Sequence, residues 1–431
     1  MHTSLRRIVR AFVALSLPWL LLLYGGLHAA ETVTIMATWG GAEEAGFREV
    51  LDAFTVKTGI PHAYEGNRDV HIVLKTRIAG GNSPDVAIIP QFGVIVELAR
   101  ERAIVPLNAG GSDPILPTEL LKANYGPGFI RLGTIDGRLY ALIVKANSKS
   151  TIWYKPPSFK NLGVEPPDTW RELLAISDAY LQRGKTPFAI GGKDGWPLTD
   201  WFENIYVRVA GPEMYQKLFA THQVKWTDPT VVEAMQRFRE IVHPEIKLAG
   251  GAEGTLSTGF IDAFNSVLRP NAAAEMYYEG GFMSAFARQN FPKLVGGRDY
   301  AFFPFPAINP TWGKPVVVGG DLAIVFRDTP EIRAFMRFMA GKEANTIWAT
   351  AKKGAVVSPN KQVPLEVYSP LIRLEAAQLT QAEAFVFDGS DLAPSALGRD
   401  ALFTALQEFV ESPDDLRSIL ENLEKVAARS Y

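Results

Sequence analysis

Glu43 and Glu44, adjacent carboxylates two residues beyond the turn Trp39-Gly40-Gly41, are the first place in the chain where residue types and spacing suggest chemistry. A carboxyl pair can divide acid and base roles across a glycosidic bond. The same pair in the first turn of a helix complements the positive end of its dipole. Other signatures fall short. Gly184-Lys185-Thr186 has Ala179 where a phosphate loop needs glycine, and reads as a helix terminus. Gly254-Thr255-Leu256-Ser257-Thr258-Gly259 lacks the spacing of a nucleophile elbow. The six histidines are scattered singly and cysteine is absent, so no metal, cofactor, disulfide or thiol nucleophile is expected. No catalytic set is visible.

The elements that must position Trp39-Gly40-Gly41 alternate strand with helix. Val33 to Thr38 reads as a buried strand, Glu43 to Lys57 as a helix with Phe47, Val50, Leu51 and Phe54 at core spacing, and Ile60 to Glu65 as an extended return. Val70 to Ala79 (helix), Asp85 to Ile89 (strand) and Val94 to Arg102 (helix) repeat the scheme. Such alternation implies an α/β fold with a mostly parallel sheet, whose ligands sit beyond the carboxyl ends of the strands. That places Trp39-Gly40-Gly41 and Pro90-Gln91-Phe92 at a cleft. The run Ala141 to Ala146 suggests a domain crossing and Pro315 to Phe326 a second. Between them, Asp168 or Thr169 is expected to cap the helix Trp170 to Arg183, Gly191 to Trp201 to form a loop, and Asp228-Pro229 to open a helix through Val242. Helices Pro330 to Ala340 and Asp400 to Ala428 complete the reading.

Residues 1–30 carry Arg6, Arg7 and Arg10, an apolar stretch from Phe12 to Tyr24, and the exit Leu27-His28-Ala29-Ala30, the pattern of a secretory signal peptide. An uncleaved membrane anchor is the alternative. Without cysteine there is no lipoprotein acceptor, so a periplasmic, untethered product is expected. The formal charge of -2 favours neither nucleic acid nor an anionic membrane.

Three ordered segments carry a family resemblance: Phe54 to Ile60 (FTVKTGI), Ala79 to Val86 (AGGNSPDV) and Asp136 to Ala141 (DGRLYA). Together they resemble bacterial extracellular solute-binding proteins, the receptors of carbohydrate ABC importers. A narrower likeness, in Trp39-Gly40-Gly41, Lys145-Ala146-Asn147, Gly195 to Trp201, Glu279 to Phe282 and Asp388 to Leu392, is to the α-glucoside-binding and glucosylglycerol-binding branch. The resemblance implies a periplasmic binding protein type II-like fold with two lobes, a ligand cleft between them and multiple crossover segments. Residues 31–142 plus 317–356 are assigned to lobe 1, and 143–316 plus 357–431 to lobe 2. It further implies a monomeric receptor for trehalose, sucrose, maltose or glucosylglycerol that delivers its sugar to ABC transporter permease subunits in the inner membrane.

A neutral sugar needs aromatic platforms for its C–H faces and fixed polar partners for its hydroxyls. The platforms expected are Trp39, Trp196, Trp201 and Phe282, each in or beside a glycine-containing turn; Trp170 and Trp348 read as structural. The polar partners expected are Glu43, Arg68, Gln91, Lys145, Asp200, Glu279 and Asp321, with Gly41, Gly281 and Gly320 allowing close approach of the backbone. Asp388, as a cap, and Lys353 are weaker candidates. A secreted glycosidase or lyase using Glu43, Asp200 or Glu279, and a sensory or adhesion module without a transporter, are the competing readings.

Overall fold

Apolar segments too short for a helix but bounded by glycine, proline and asparagine make the strands of this chain, and the computed structural model arranges them in two main sheets. It describes residues 30–431 except 112, 353–355 and 382–383. The signal segment, apart from its last residue, and Lys353 lie outside the described residues.

The first sheet is built on β1 (Val33–Ala37), flanked in parallel by β2 (His62–Gly66) and β3 (Val86–Ile89). A hairpin of β4 (Thr134–Ile135) and β5 (Arg138–Leu139) turns through Asp136 and Gly137, both at positive φ as its tight turn demands, and leads into β6 (Leu142–Ser148). The second sheet holds β7 (Thr151–Tyr154), β8 (Phe188–Ala189), β9 (Met276–Tyr278) and β10 (Ala301–Pro304) in the order β10-β7-β9-β8. The chain then returns through β11 (Val316–Val325), which runs antiparallel to both β3 and β6, while β12 (Phe385–Phe387) pairs parallel with its first three residues. Register between β6 and β11 slips at Asp321, a bulge that re-aims the neighbouring side chains.

Each sheet carries its own core. One gathers Phe47, Phe54, Leu322, Phe335 and Trp348 around the first sheet; the other gathers Trp201, Phe202, Tyr206, Phe238, Phe305 and Phe409 around the second. The molecule is therefore two-lobed, with β6 and β11 passing where the lobes meet.

Several helix boundaries follow from local chemistry. Helix Gly41–Thr58 has Glu43 and Glu44 in its first turn and stops at Gly59, at φ 73°. Thr169, not Asp168, caps the next lobe's helix Trp170–Gln182, in a reciprocal box with Glu172. Helices Val70–Ala79, Pro229–Val242 and Pro330–Ala340 have the expected bounds. Two expectations fail. The segment from Gly191 to Trp201 is not a loop: after a short turn at Gly192–Asp194, helix Trp196–Ala210 begins directly behind Gly195. The terminal helix is not continuous either. A π-helical turn at Ala396–Ala401 leads into Leu402–Glu411, the chain breaks at Ser412-Pro413, where proline removes a donor and crowds the preceding turn, and Leu416–Ser430 follows.

Candidate ligand-binding cleft

β1 and β3 end, β6 and β11 cross, and helix Trp196–Ala210 begins around one cavity of about 220 Å³ between the lobes. Its inner end is a chain of charges. Glu43 comes from the first turn of helix Gly41–Thr58, Lys145 from β6 and Asp321 from the bulge of β11. Lys145 Nζ lies 2.5 Å from Glu43 Oε1 and 3.3 Å from Asp321 Oδ2. Arg68 also donates to Glu43, and Trp39 Nε1 donates to Asp321 Oδ2 at 3.0 Å. Burial alone would push the Glu43 carboxyl up, but the Lys145 and Arg68 charges outweigh it and hold it at about 2. Lys145, desolvated too, is nonetheless kept above the ordinary lysine value by Glu43 and Asp321. The groups of the inner end thus answer one another in pairs of opposite sign.

Rings surround these charges. Lys145 Nζ lies 5.5 Å from the Trp39 ring centre and 5.9 Å from that of Phe282. Trp196 packs edge-on to Phe260 at 4.9 Å, and Phe403 closes the other side of Trp196's neighbour Gly195. Gln91 and Asn147 also line the cavity, and Gln91 Oε1 and Asn147 Oδ1 are buried with no hydrogen-bond donor among the described residues. Such orphan acceptors are costly unless a ligand donor meets them.

A second group of charges lies further along. Lys149 Nζ bonds Asp200 Oδ1 at 3.0 Å and also Asp388, and sits 5.4 Å from the Trp196 ring centre. Asp200, Glu203 and Asp388 bring carboxylate oxygens within 4.8 Å of one another. Glu203 is spent on the Tyr215 hydroxyl and the Gly389 and Ser390 amides. Arg399 faces the cavity with no ion pair among the described residues, its guanidinium 5.6 Å from the Phe403 ring centre.

Of the residues singled out in the sequence, Trp39, Glu43, Arg68, Gln91, Lys145, Trp196, Phe282, Gly320 and Asp321 are brought together around this cavity, although Trp39 is no open platform: its ring has no exposed surface and packs on Phe47 and Trp348. Five are not. Trp201 has no exposed surface and packs between Phe238, Tyr278 and Phe305, because the helix that starts at Trp196 turns it into the core. Asp200 and Glu279 are wholly buried behind the cavity wall. Gly281 underlies the Glu375 carboxyl, and Gly41, at φ 60°, faces the Gln289 side chain across the cleft. Asp388 does cap the turn at Gly389–Leu392 while pairing with Lys149.

The sequence reading passed over Lys149, Asp194, Phe260, Asp391, Arg399 and Phe403. A signal exists for three of them. Lys145, Asn147 and Lys149 alternate at the strand period of two and so share a face, and Arg399 and Phe403 are four apart on a helical segment.

These features define a two-lobed α/β receptor closed around a small polar cavity. The chain belongs to the bacterial extracellular solute-binding protein family, whose model matches residues 40–346. It is 33% identical over 400 residues to the osmoprotective compounds-binding protein GgtB of Synechocystis, covering 92% of each chain. It is 32% identical over 397 residues to the alpha-glucosides-binding periplasmic protein AglE of Rhizobium meliloti, covering 88% of this chain and 83% of that one. Among solved structures, the bacterial solute receptor AcbH, described with an exclusive preference for β-D-galactopyranose, superposes with a TM-score of 0.81 at 19% identity, over 93% of this chain and 99% of that one.

Proposed function

We propose that this protein is the receptor of an ABC sugar importer, binding a neutral α-glucoside such as trehalose, sucrose, maltose or glucosylglycerol and presenting it to permease subunits in the inner membrane. It is exported to the periplasm by residues 1–30 and acts as an unlipidated monomer. Its lobes, residues 31–142 plus 317–356 and 143–316 plus 357–431, close on the sugar by a hinge at the β6 and β11 crossings.

The observation that carries this reading is the coexistence of charges paired with one another and buried amide oxygens with no donor, all beside aromatic rings. Glu43, Lys145 and Asp321 can accept from and donate to hydroxyls without demanding a net charge on the ligand. Trp196 and Phe282 offer apolar faces to sugar C–H groups, while Trp39, wholly buried against Phe47 and Trp348, holds Asp321 in place. The name of AglE supports the α-glucoside class, and that of GgtB an osmoprotective compound. A hydrolase is the weaker reading, since Glu43 is held too acidic to donate a proton near neutrality and Asp200 and Glu279 are buried behind the wall.

The test is calorimetric titration of the mature protein with the four sugars, each recovered and analysed afterwards. Saturable binding with intact sugar is expected, and micromolar affinity would correspond to about -8 kcal/mol. Cleaved sugar, or no heat with any of the four, refutes the reading.

A further inference from the structure

Behind the cavity wall, two buried carboxyl groups each have an oxygen that meets no donor among the described residues. Asp200 Oδ1 accepts from Lys149 Nζ at 3.0 Å, whereas Asp200 Oδ2 is buried without a donor. Glu279 Oε2 accepts from the Gly280 amide at 3.1 Å, whereas Glu279 Oε1 is buried without a donor. The two carboxyl groups lie within hydrogen-bonding reach of each other. Neither residue has any exposed surface. An ionised carboxylate only accepts, so two of them meeting oxygen to oxygen need one proton between them.

Nearby donors are committed elsewhere. The Tyr278 hydroxyl donates to the Lys149 and Asp200 carbonyls at 2.6 and 2.8 Å, and Trp153 Nε1 reaches the Glu279 carbonyl at 3.2 Å. Asn204 Nδ2 bonds the Lys149 carbonyl and the Tyr278 hydroxyl. The charged and titratable groups facing the pair are Lys149 after β6, Asp194 and Glu203 around and on the Trp196–Ala210 helix, Tyr277 and Tyr278 on β9, and Asp388 and Asp391 after β12. Lys149 already answers Asp200 and Asp388, so an ionised Glu279 would add a buried charge with no partner.

We infer that Glu279 and Asp200 share a single proton, carried on Glu279 Oε1 and donated to Asp200 Oδ2, and that this pair is the positioning element holding Lys149 at the ligand and the loop Glu279 to Phe282 against the cleft. The inference rests on the cavity being a sugar site. Burial, and then the neighbouring Asp200 charge, push Glu279 well above the ordinary carboxyl range. The pair holds a single proton below that raised value and above about 7, the value to which burial raises Asp200. Above the raised value of Glu279 the proton leaves, and ligand affinity falls by up to about tenfold per pH unit.

The experiment titrates wild type, Glu279→Gln and Glu279→Ala with the sugar that binds, from mildly acid to alkaline pH, and records infrared difference spectra of the same proteins without sugar. The amide N–H of Glu279→Gln replaces the proton permanently. This variant is expected to bind within about threefold of wild type near neutrality and to lose the alkaline fall, while Glu279→Ala binds at least about tenfold more weakly. In the spectra, a protonated-carboxyl band present at neutral pH in wild type should disappear in Glu279→Gln. An unchanged alkaline fall in Glu279→Gln, affinity as poor as that of Glu279→Ala, or the absence of that band each overturns the shared proton. If the band is present and no sugar binds, the sugar-receptor reading fails while the proton pair stands.

Discussion

Replacing Lys145 by Met keeps the unbranched stem of the side chain and removes the one ammonium that answers both Glu43 and Asp321. Glu43 is left with Arg68, which is partly exposed, and Asp321 with the Trp39 N–H. In the wild type, Glu43 is lowered from 4.5 to about 2 at a site only 3% exposed, which corresponds to roughly 3 kcal/mol of stability. That contribution is complete above an unfolded value of 4.5 and is lost as pH falls toward 2. Removing one partner of a buried ion pair costs about 3–5 kcal/mol by the same logic. Lys145→Met should therefore lose about 3 kcal/mol at neutral pH in urea unfolding. The gap to wild type should narrow as pH drops below 4.5, where Glu43 can take up a proton in the variant. Sugar binding should fail in parallel, since the same ammonium lines the cavity. A loss below about 1 kcal/mol, or a gap that does not change with pH, would refute the account of the inner charge chain.

Other substitutions separate the cavity from its supports. Trp201→Ala should cost about 3–5 kcal/mol in thermal or urea unfolding because the ring is wholly buried, whereas Trp196→Ala should cost less stability and at least about tenfold in affinity by calorimetry. At Gly281 an added Cβ would lie 1.9 Å from the Glu375 carboxyl carbon, so Gly281→Ala should displace Glu375 from the Ser148 amide and cost about 1–3 kcal/mol. The double variant Gly281→Ala/Glu375→Ala should recover part of that loss, and strict additivity would count against the clash. Thr169→Ala should cost about 1 kcal/mol in unfolding experiments through its capping box, with titrations unchanged.

The parts of the fold that could be read from the chain are those whose boundaries are written locally. Val70–Ala79 runs between a polar turn and Gly80-Gly81, and Pro330–Ala340 between Thr329-Pro330 and Gly341, so each helix carries its own start and stop. The helix Trp196–Ala210 misled because its first turn contains glycine before it and proline within it, which also describe a loop. Once that segment is helical, Trp201 lies about 140° around the axis from Trp196, and only one of the two can face the cleft. The same consideration explains the site. Residues at strand ends and glycine turns, such as Trp39, Gln91 and Asp321, were legible because the sheet alone decides where they point. Arg399 and Phe403 share a helical face by their spacing of four, but they reach the cavity through the docking of the C-terminal segment against the second lobe, which that spacing does not reveal. Glu279 was read as a ligand partner for its place in a Glu-Gly-Gly-Phe turn, but its side chain points to Asp200 while Phe282 takes the cavity.

Arg68 joins these layers into one device. From the first lobe it donates to Glu43, while its guanidinium rests 5.4 Å from the Phe260 ring centre and 5.8 Å from that of Phe286 in the second. Gly41 meets Gln289 across the same gap. Rings of the second lobe thus lie over charges fixed in the first. Because Glu43, Lys145 and Asp321 are already paired with one another, a neutral polyol meeting them leaves that group balanced. The orphan oxygens of Gln91 and Asn147 set the complementary demand, since a ligand that fills the space without donating hydrogen bonds leaves both of them buried and unmet.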